Sequence, residues 1–233
     1  MKHAKRHPLI FGTIILTATG LITRVIGFFY RIYLSRLFGE EGMGIYQLLS
    51  PALSLSFSLT AAGYQTAISK YVAADSAKRP SGNLKPLLAG ISITLPLSLV
   101  TNAILFFSAD PIGIFLLKDH RTVPMLRILS FSVPFAALHA CINGYFYGKK
   151  KASVPALTQL LEQLARVSCV FLVTGADLAE GRTPSINAAV LGLTVGEIFS
   201  MLIALVCLYI HLYPDSSILS LQNICPSVPV YRD

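Results

Sequence analysis

The chain has 233 residues, 54% of them hydrophobic and only 13% charged, with a mean hydropathy of +0.64. Soluble domains carry about 25% charged residues, so this composition excludes an ordinary soluble enzyme or binding module and indicates an integral membrane protein. The net charge of +8 does not point to nucleic acid, because the basic residues fall between apolar segments and form no continuous patch.

Six apolar stretches follow one another: about Leu9–Phe38, Ile45–Ile68, Leu87–Phe107, Leu126–Tyr147, Val154–Thr174 and Ala188–Leu212. Each has the roughly 20 residues that a spanning helix needs. The expected organisation is a cytoplasmic N-terminus over 1–8, a six-helix transmembrane lobe over 9–212 and a poorly ordered polar tail over 213–233. Lys2, Lys5 and Arg6 precede an apolar run too long for a signal peptide, and no small-residue cleavage site precedes Arg24.

The second half of the first span carries Arg24 and Arg31, seven residues apart and nearly on one face with Gly27, Phe28 and Ser35. That face reads as a cavity wall. At about 1.5 Å per residue, Arg24 lies roughly 22 Å from Leu9 and Arg31 roughly 33 Å, near the outer interface, where an arginine also serves as an anchor. Gly39, Glu40, Glu41 and Gly42 form an outer turn into the second span, which Pro51 interrupts.

A short polar loop from Ala74 to Pro86 leads to the third and fourth spans, where Pro96 and Pro134 are expected to mark bends. The fourth span ends in Tyr145, Phe146 and Tyr147 before Lys149–Lys151, an aromatic and basic interface anchor.

The fifth span places Gln159, Glu162, Gln163 and Arg166 at i, i+3, i+4 and i+7, on one helix face. A charge at mid-bilayer costs about 2.5–3.5 kcal/mol, so Glu162 and Arg166 should be paired. The simplest arrangement is an i, i+4 pair that packs the lobe; the functional alternative is a pair that opens when an ion or cargo binds. Glu197 in the sixth span has Leu193 and Met201 at i−4 and i+4, and is expected to balance Arg24 across the bundle or to take up a proton or cation. No carboxylate stands at helical spacing from His139, which reads as a helix-contact residue.

Basic residues on alternate sides are Lys2, Lys5, Arg6, Lys70, Lys78, Arg79, Lys85 and Lys149–Lys151 against Arg36, Lys118, Arg121 and Arg182. The excess on the first side places both ends of a six-span chain in the cytoplasm. Cys141, Cys169 and Cys207 lie within spans, with Cys225 in the tail, and suggest neither disulfides nor a metal. No zinc spacing, phosphate loop, nucleophile elbow or dinucleotide fingerprint occurs, so neither catalysis nor a cofactor is expected.

From Asn143 to Val167 the chain reads NGYFYGKKKASVPALTQLLEQLARV, which closely resembles a span junction of the stage V sporulation protein B family. Three further stretches agree: GLITRVIGFFYRIYLSRLFGEEGMG from Gly20, AGYQTAISKYVA from Ala62 and GLTVGEIFS from Gly192. That family belongs to the multidrug, oligosaccharidyl-lipid and polysaccharide exporter superfamily and is related to the lipid II flippases. The resemblance implies one lobe of a two-lobed flippase in the bacterial inner membrane, with a lipid-linked saccharide or pyrophosphate precursor as cargo and spore cortex synthesis as its setting. It also implies that Arg24 faces a central cavity, while Arg36 matches a second arginine of the motif.

Asn143 and Tyr147 depart from the arginine and glutamine that many relatives carry there, which makes a lipid-linked saccharide in general a firmer expectation than lipid II. Only the first lobe is present, so the expected partners are membrane lipids and either a missing C-terminal lobe or a second copy in a homodimer. A truncated product without transport is the simpler account of the length. A non-transporting accessory protein and an ion-coupled small-molecule exporter are the alternative functions.

Overall fold

The computed structural model describes residues 8–78 and 84–213, and these are helical with no strand among them. The helices are α1 (Pro8–Leu48), α2 (Ser50–Phe57), α3 (Gly63–Lys78), α4 (Lys85–Phe107), the single turn α5 (Ala109–Pro111), α6 (Thr122–Gly148), α7 (Ser153–Ala179) and α8 (Asn187–Leu212). Wider π-type turns occupy Ser58–Ala62 and Ile112–Leu116. The expected outer parts of the chain, 1–7 and 214–233 with Cys225, and positions 79–83 of the loop lie outside the described residues.

Helix α1 has 41 residues, about 60 Å at the usual rise, and is broken at Gly39, whose φ of 69° and ψ of −174° leave the helical region. Only glycine adopts that conformation without strain. Its neighbours give the direction of the chain on either side. Gly12 lies against Ala152 just before α7, Gly27 lies against Gln163, and the Tyr33 hydroxyl is 2.7 Å from Thr174 Oγ1, so the first limb of α1 runs alongside α7. Beyond the break, Gly42 meets Ile186 at the start of α8. The chain then returns beside α6: Ile45 and Leu49 pack with Val123, Met125 and Leu126, and Gln65 and Ser69 meet Gly144 and Gly148.

Five segments are long and apolar enough to cross a membrane, and the first of them, Gly12–Ser76 with 65 residues, is folded into two passes by this reversal. The protein is therefore an all-α, multi-pass membrane protein. Pro51 stands in the first turn of α2 after a break at Leu49, a position that needs no proline N–H. Pro96 and Pro134 do not end their helices; α4 and α6 run through them.

Small residues bring two pairs of helices into backbone contact. A Cβ on Gly144 would stand 2.6 Å from the Gln65 carbonyl oxygen, and one on Gly148 would stand 2.7 Å from that of Ser69. On α8, the same test puts Gly192 3.0 Å from the Arg166 carbonyl and Gly196 3.1 Å from that of Glu162. Glycines four apart open a strip along which membrane helices approach closely. The second strip seats Glu197 directly over the polar turn of α7.

Candidate functional site

The buried centre of α6, α7 and α8 is polar. His139 on α6 is 8% exposed, and its Nε2 lies 2.7 Å from Asn143 Nδ2, 3.2 Å from Thr158 Oγ1 on α7 and 2.9 Å from Ser200 Oγ on α8. An amide nitrogen donates, so in this arrangement Nε2 accepts and the ring proton belongs on Nδ1. That nitrogen faces Glu197 Oε2 at 3.6 Å. One turn along α7, Arg166 Nη2 donates to Glu162 Oε1 at 2.5 Å, within its own helix.

His139, Glu162 and Glu197 bring one ligand atom each to within 4.8 Å of one another. A neutral imidazole, two carboxylates and one guanidinium sum to a formal charge of −1 in a setting where charge is costly to bury. The pairing expected between Glu197 and Arg24 is not found: Glu197 is held against His139 by the Gly192–Gly196 strip, while Arg24 makes no ion pair among the described residues. His139, expected to be only a helix contact, is the hub of this cluster. Sequence spacing along one helix cannot reveal a carboxylate contributed by another.

Two cavities meet at Arg166. The first, about 270 Å³, is bounded by Ser56 and Thr60 near the π-type turn, by Leu129 and Ser132 of α6, and by Arg166 and Glu197. The second, about 420 Å³, is bounded by Arg24, Tyr30, Arg31, Tyr46, Gln163 and Arg166. Arg24 and Arg31 are exposed on this side of the bundle, whereas Tyr30 is buried.

The Tyr30 hydroxyl and Arg166 Nε are both buried without a hydrogen-bond partner. Such donors are uncommon in a folded protein and mark places where a ligand or water completes the bonding. Tyr30 was not singled out from the sequence; a tyrosine among Phe28, Phe29 and Tyr33 carries no local sign of an unpaired hydroxyl.

The four-residue stripe of the fifth span does not act as one unit. Glu162 and Arg166 turn towards α8, with Arg166 also bordering the first cavity, Gln163 turns towards Gly27 of α1, and Gln159 is exposed. Neither glutamine makes a hydrogen bond among the described residues, so the expected support across helices is not seen. At about 100° per residue, the adjacent Glu162 and Gln163 diverge by about 100°, enough for two neighbouring helices to divide them.

At the end of the bundle beyond Phe107, charges are paired in the open. Arg121 Nη2 donates to Glu41 at 2.6 Å and to Asp119 at 3.2 Å, and Arg127 pairs with Asp110 at 2.6 Å. Hydrogen bonds from the Arg121 side chain and backbone hold the Asp119 carboxyl below its ordinary range. At the opposite end, Lys151 Nζ lies 3.1 Å from His211 Nδ1, and burial and then Lys149 lower its pKa.

Residues 9–230 match the family model described as polysaccharide biosynthesis protein. Among curated proteins the chain is 36% identical to stage V sporulation protein B of Bacillus subtilis over 84% of its own length and 38% of that protein. It is 27% identical to the uncharacterized membrane protein YabM over 70% of this chain and 30% of that one, and 27% identical to lipid II flippase MurJ over 73% and 32%, both from the same organism. The chain thus spans only about a third of the length of these relatives, from 30% to 38%. No solved structure matches it. The resemblance read from Asn143–Val167 and its companion stretches is borne out.

Proposed function

The chain belongs to the polysaccharide biosynthesis protein family, and from that membership we propose that it moves lipid-linked saccharide precursors between membrane leaflets, holding their pyrophosphate at Arg24, Arg31 and Arg166. The observation that carries this reading is the cavity of about 420 Å³, where three guanidinium groups gather beside a buried tyrosine hydroxyl that lacks a partner. Arginine suits the task because its planar fork donates paired hydrogen bonds to phosphate oxygens and keeps its charge when partly desolvated. Arg24 grips the diphosphate, and Arg31, farther along α1, receives it on the way across. The names of two relatives, a sporulation protein and a lipid II flippase, support a cell-wall precursor as cargo.

In this reading both ends face the cytoplasm, and the open side of α1 meets either a second lobe or a second copy of the chain. The lysines beside Gly148 then lie at the cytoplasmic surface. The test is binding of undecaprenyl diphosphate to the purified protein in detergent, followed by native mass spectrometry. Replacing Arg24 with alanine should weaken binding about 10- to 100-fold, the worth of one charge-assisted contact, while Arg24→Lys should retain part of it. Equal binding by wild type and Arg24→Ala would remove this residue from the site.

A further inference from the structure

Arg166 is claimed by two regions at once. Its Nη2 closes the pair with Glu162, yet its Nε is buried without a partner, and its side chain borders both cavities. On one side stand Glu197 and the hydroxyls of Ser56, Thr60 and Ser132; on the other stand Arg24, Arg31 and Tyr30. A single cation placed between a carboxylate cluster and an anion-binding cavity cannot fully serve both.

We propose that His139, Glu162 and Glu197 form a proton site that fills when Arg166 turns from Glu162 to an anion bound beside Arg24 and Arg31. The inference rests on the anion-binding reading of the larger cavity and adds a second ligand, the proton. With Arg166 in place the cluster holds one positive and two negative charges, a formal −1; with Arg166 withdrawn it holds −2. A second uncompensated charge inside the membrane is costly, and a proton from water offsets it.

The charged groups facing His139 are Glu197 from α8 and Glu162 and Arg166 from α7; Asn143, Thr158 and Ser200 are its neutral partners. The imidazole and the Glu197 carboxylate receive the proton. Once Nε2 is protonated it donates, and the Asn143 amide turns to present its oxygen. The proton enters through the smaller cavity, which Glu197 lines together with Ser56, Thr60 and Ser132. No bond other than those to hydrogen is made or broken. Binding linkage is reciprocal, so an anion that recruits a proton must itself bind more tightly as pH falls.

The experiment is calorimetric titration of the whole protein in detergent with sulfate, an anion whose charge does not change near neutral pH. Buffers of different ionisation enthalpy give the number of protons taken up per sulfate bound. The expected result is uptake of about a quarter to a half of a proton per sulfate on average, with affinity rising correspondingly by roughly threefold to tenfold from about pH 8 to about pH 6. In Glu197→Gln the uptake and the pH dependence should fall away while sulfate still binds.

Sulfate binding without proton uptake in the wild type overturns the proton site and leaves the anion cavity standing. No sulfate binding at all overturns both. Binding that carries no proton but strengthens with added zinc chloride assigns the cluster to a metal, and this also overturns the proposal. The wild-type proton count decides the matter even if the variant does not fold.

Discussion

The junction of α6, α7 and α8 and the open side of α1 contain similar residue types put to opposite use. At the junction every ionisable side chain has a partner: His139 has Glu197 and three neutral neighbours, and Glu162 has Arg166. On α1, Arg24 and Arg31 have no ion pair among the described residues, and the Tyr30 hydroxyl has no hydrogen bond. A polar group that is satisfied locally holds helices together, whereas one left unsatisfied is available to something that arrives later. Architecture and anion binding are thus separated in space, except at Arg166.

If close packing, and no ligand, holds the helices together, damage to either close-packed strip should abolish folding irrespective of any ligand, and the strip between α3 and α6 gives the plainest case. Gly144→Leu forces a branched side chain into the Gln65 backbone, where even a Cβ would come within 2.6 Å. Overpacking costs typically 1–3 kcal/mol, and here rigid backbone stands opposite, so a loss of about 3 kcal/mol or more is expected. Size-exclusion chromatography in detergent should show aggregate in place of a monodisperse peak. A stable, monodisperse Gly144→Leu protein would mean that α3 and α6 are not packed as described.

Arg166 belongs to both regions, and exchanging it with its partner separates the two roles. The double substitution Glu162→Arg with Arg166→Glu keeps an i, i+4 pair of opposite charges but places a carboxylate where the cavity of Arg24 and Arg31 now has a guanidinium. The swapped pair is expected to fold with a loss of only about 1 kcal/mol, since the i, i+4 pair of opposite charges within α7 is kept and only its orientation is reversed. Sulfate binding should fall by about tenfold or more. Thermal melts and calorimetry on one preparation give both quantities. Unchanged sulfate affinity would show that Arg166 serves the interior alone.

The helices themselves were legible because apolar runs of sufficient length admit no other structure in a bilayer. The reversal after the first span was legible too, since Gly39, Glu40, Glu41 and Gly42 interrupt the hydrophobic pattern. What the sequence did not show was how far each helix continues past its apolar run, as α7 does to Ala179, because helix ends beyond the hydrocarbon follow hydrogen bonding and not hydropathy. The Glu162–Arg166 spacing was visible within one helix. The contact of Glu197 with His139 was not, because it depends on the depth at which Gly192 and Gly196 let α8 settle on α7.

The exposed charges at the end of the bundle beyond Phe107 resemble those of the junction in being paired, yet water surrounds them, so their removal should have the smallest effect. Asp119 accepts from the Arg121 backbone N–H at 2.9 Å and from its Nε at 3.3 Å, and Arg121 reaches Glu41 across the turn after Gly39. Because the Asp119 carboxyl is held below its ordinary range, the contact is fully present above the unfolded pKa and fades as pH falls through the lower folded one. Trypsin cleavage after Lys118 is therefore expected to be unchanged from neutral pH to mildly acidic pH. Asp119→Asn should raise it about two- to threefold at neutral pH, and strong salt should raise it similarly in the wild type. A larger effect, extending to the melting temperature, would make this pair part of the architecture and remove the distinction between satisfied charges in water and satisfied charges in the membrane.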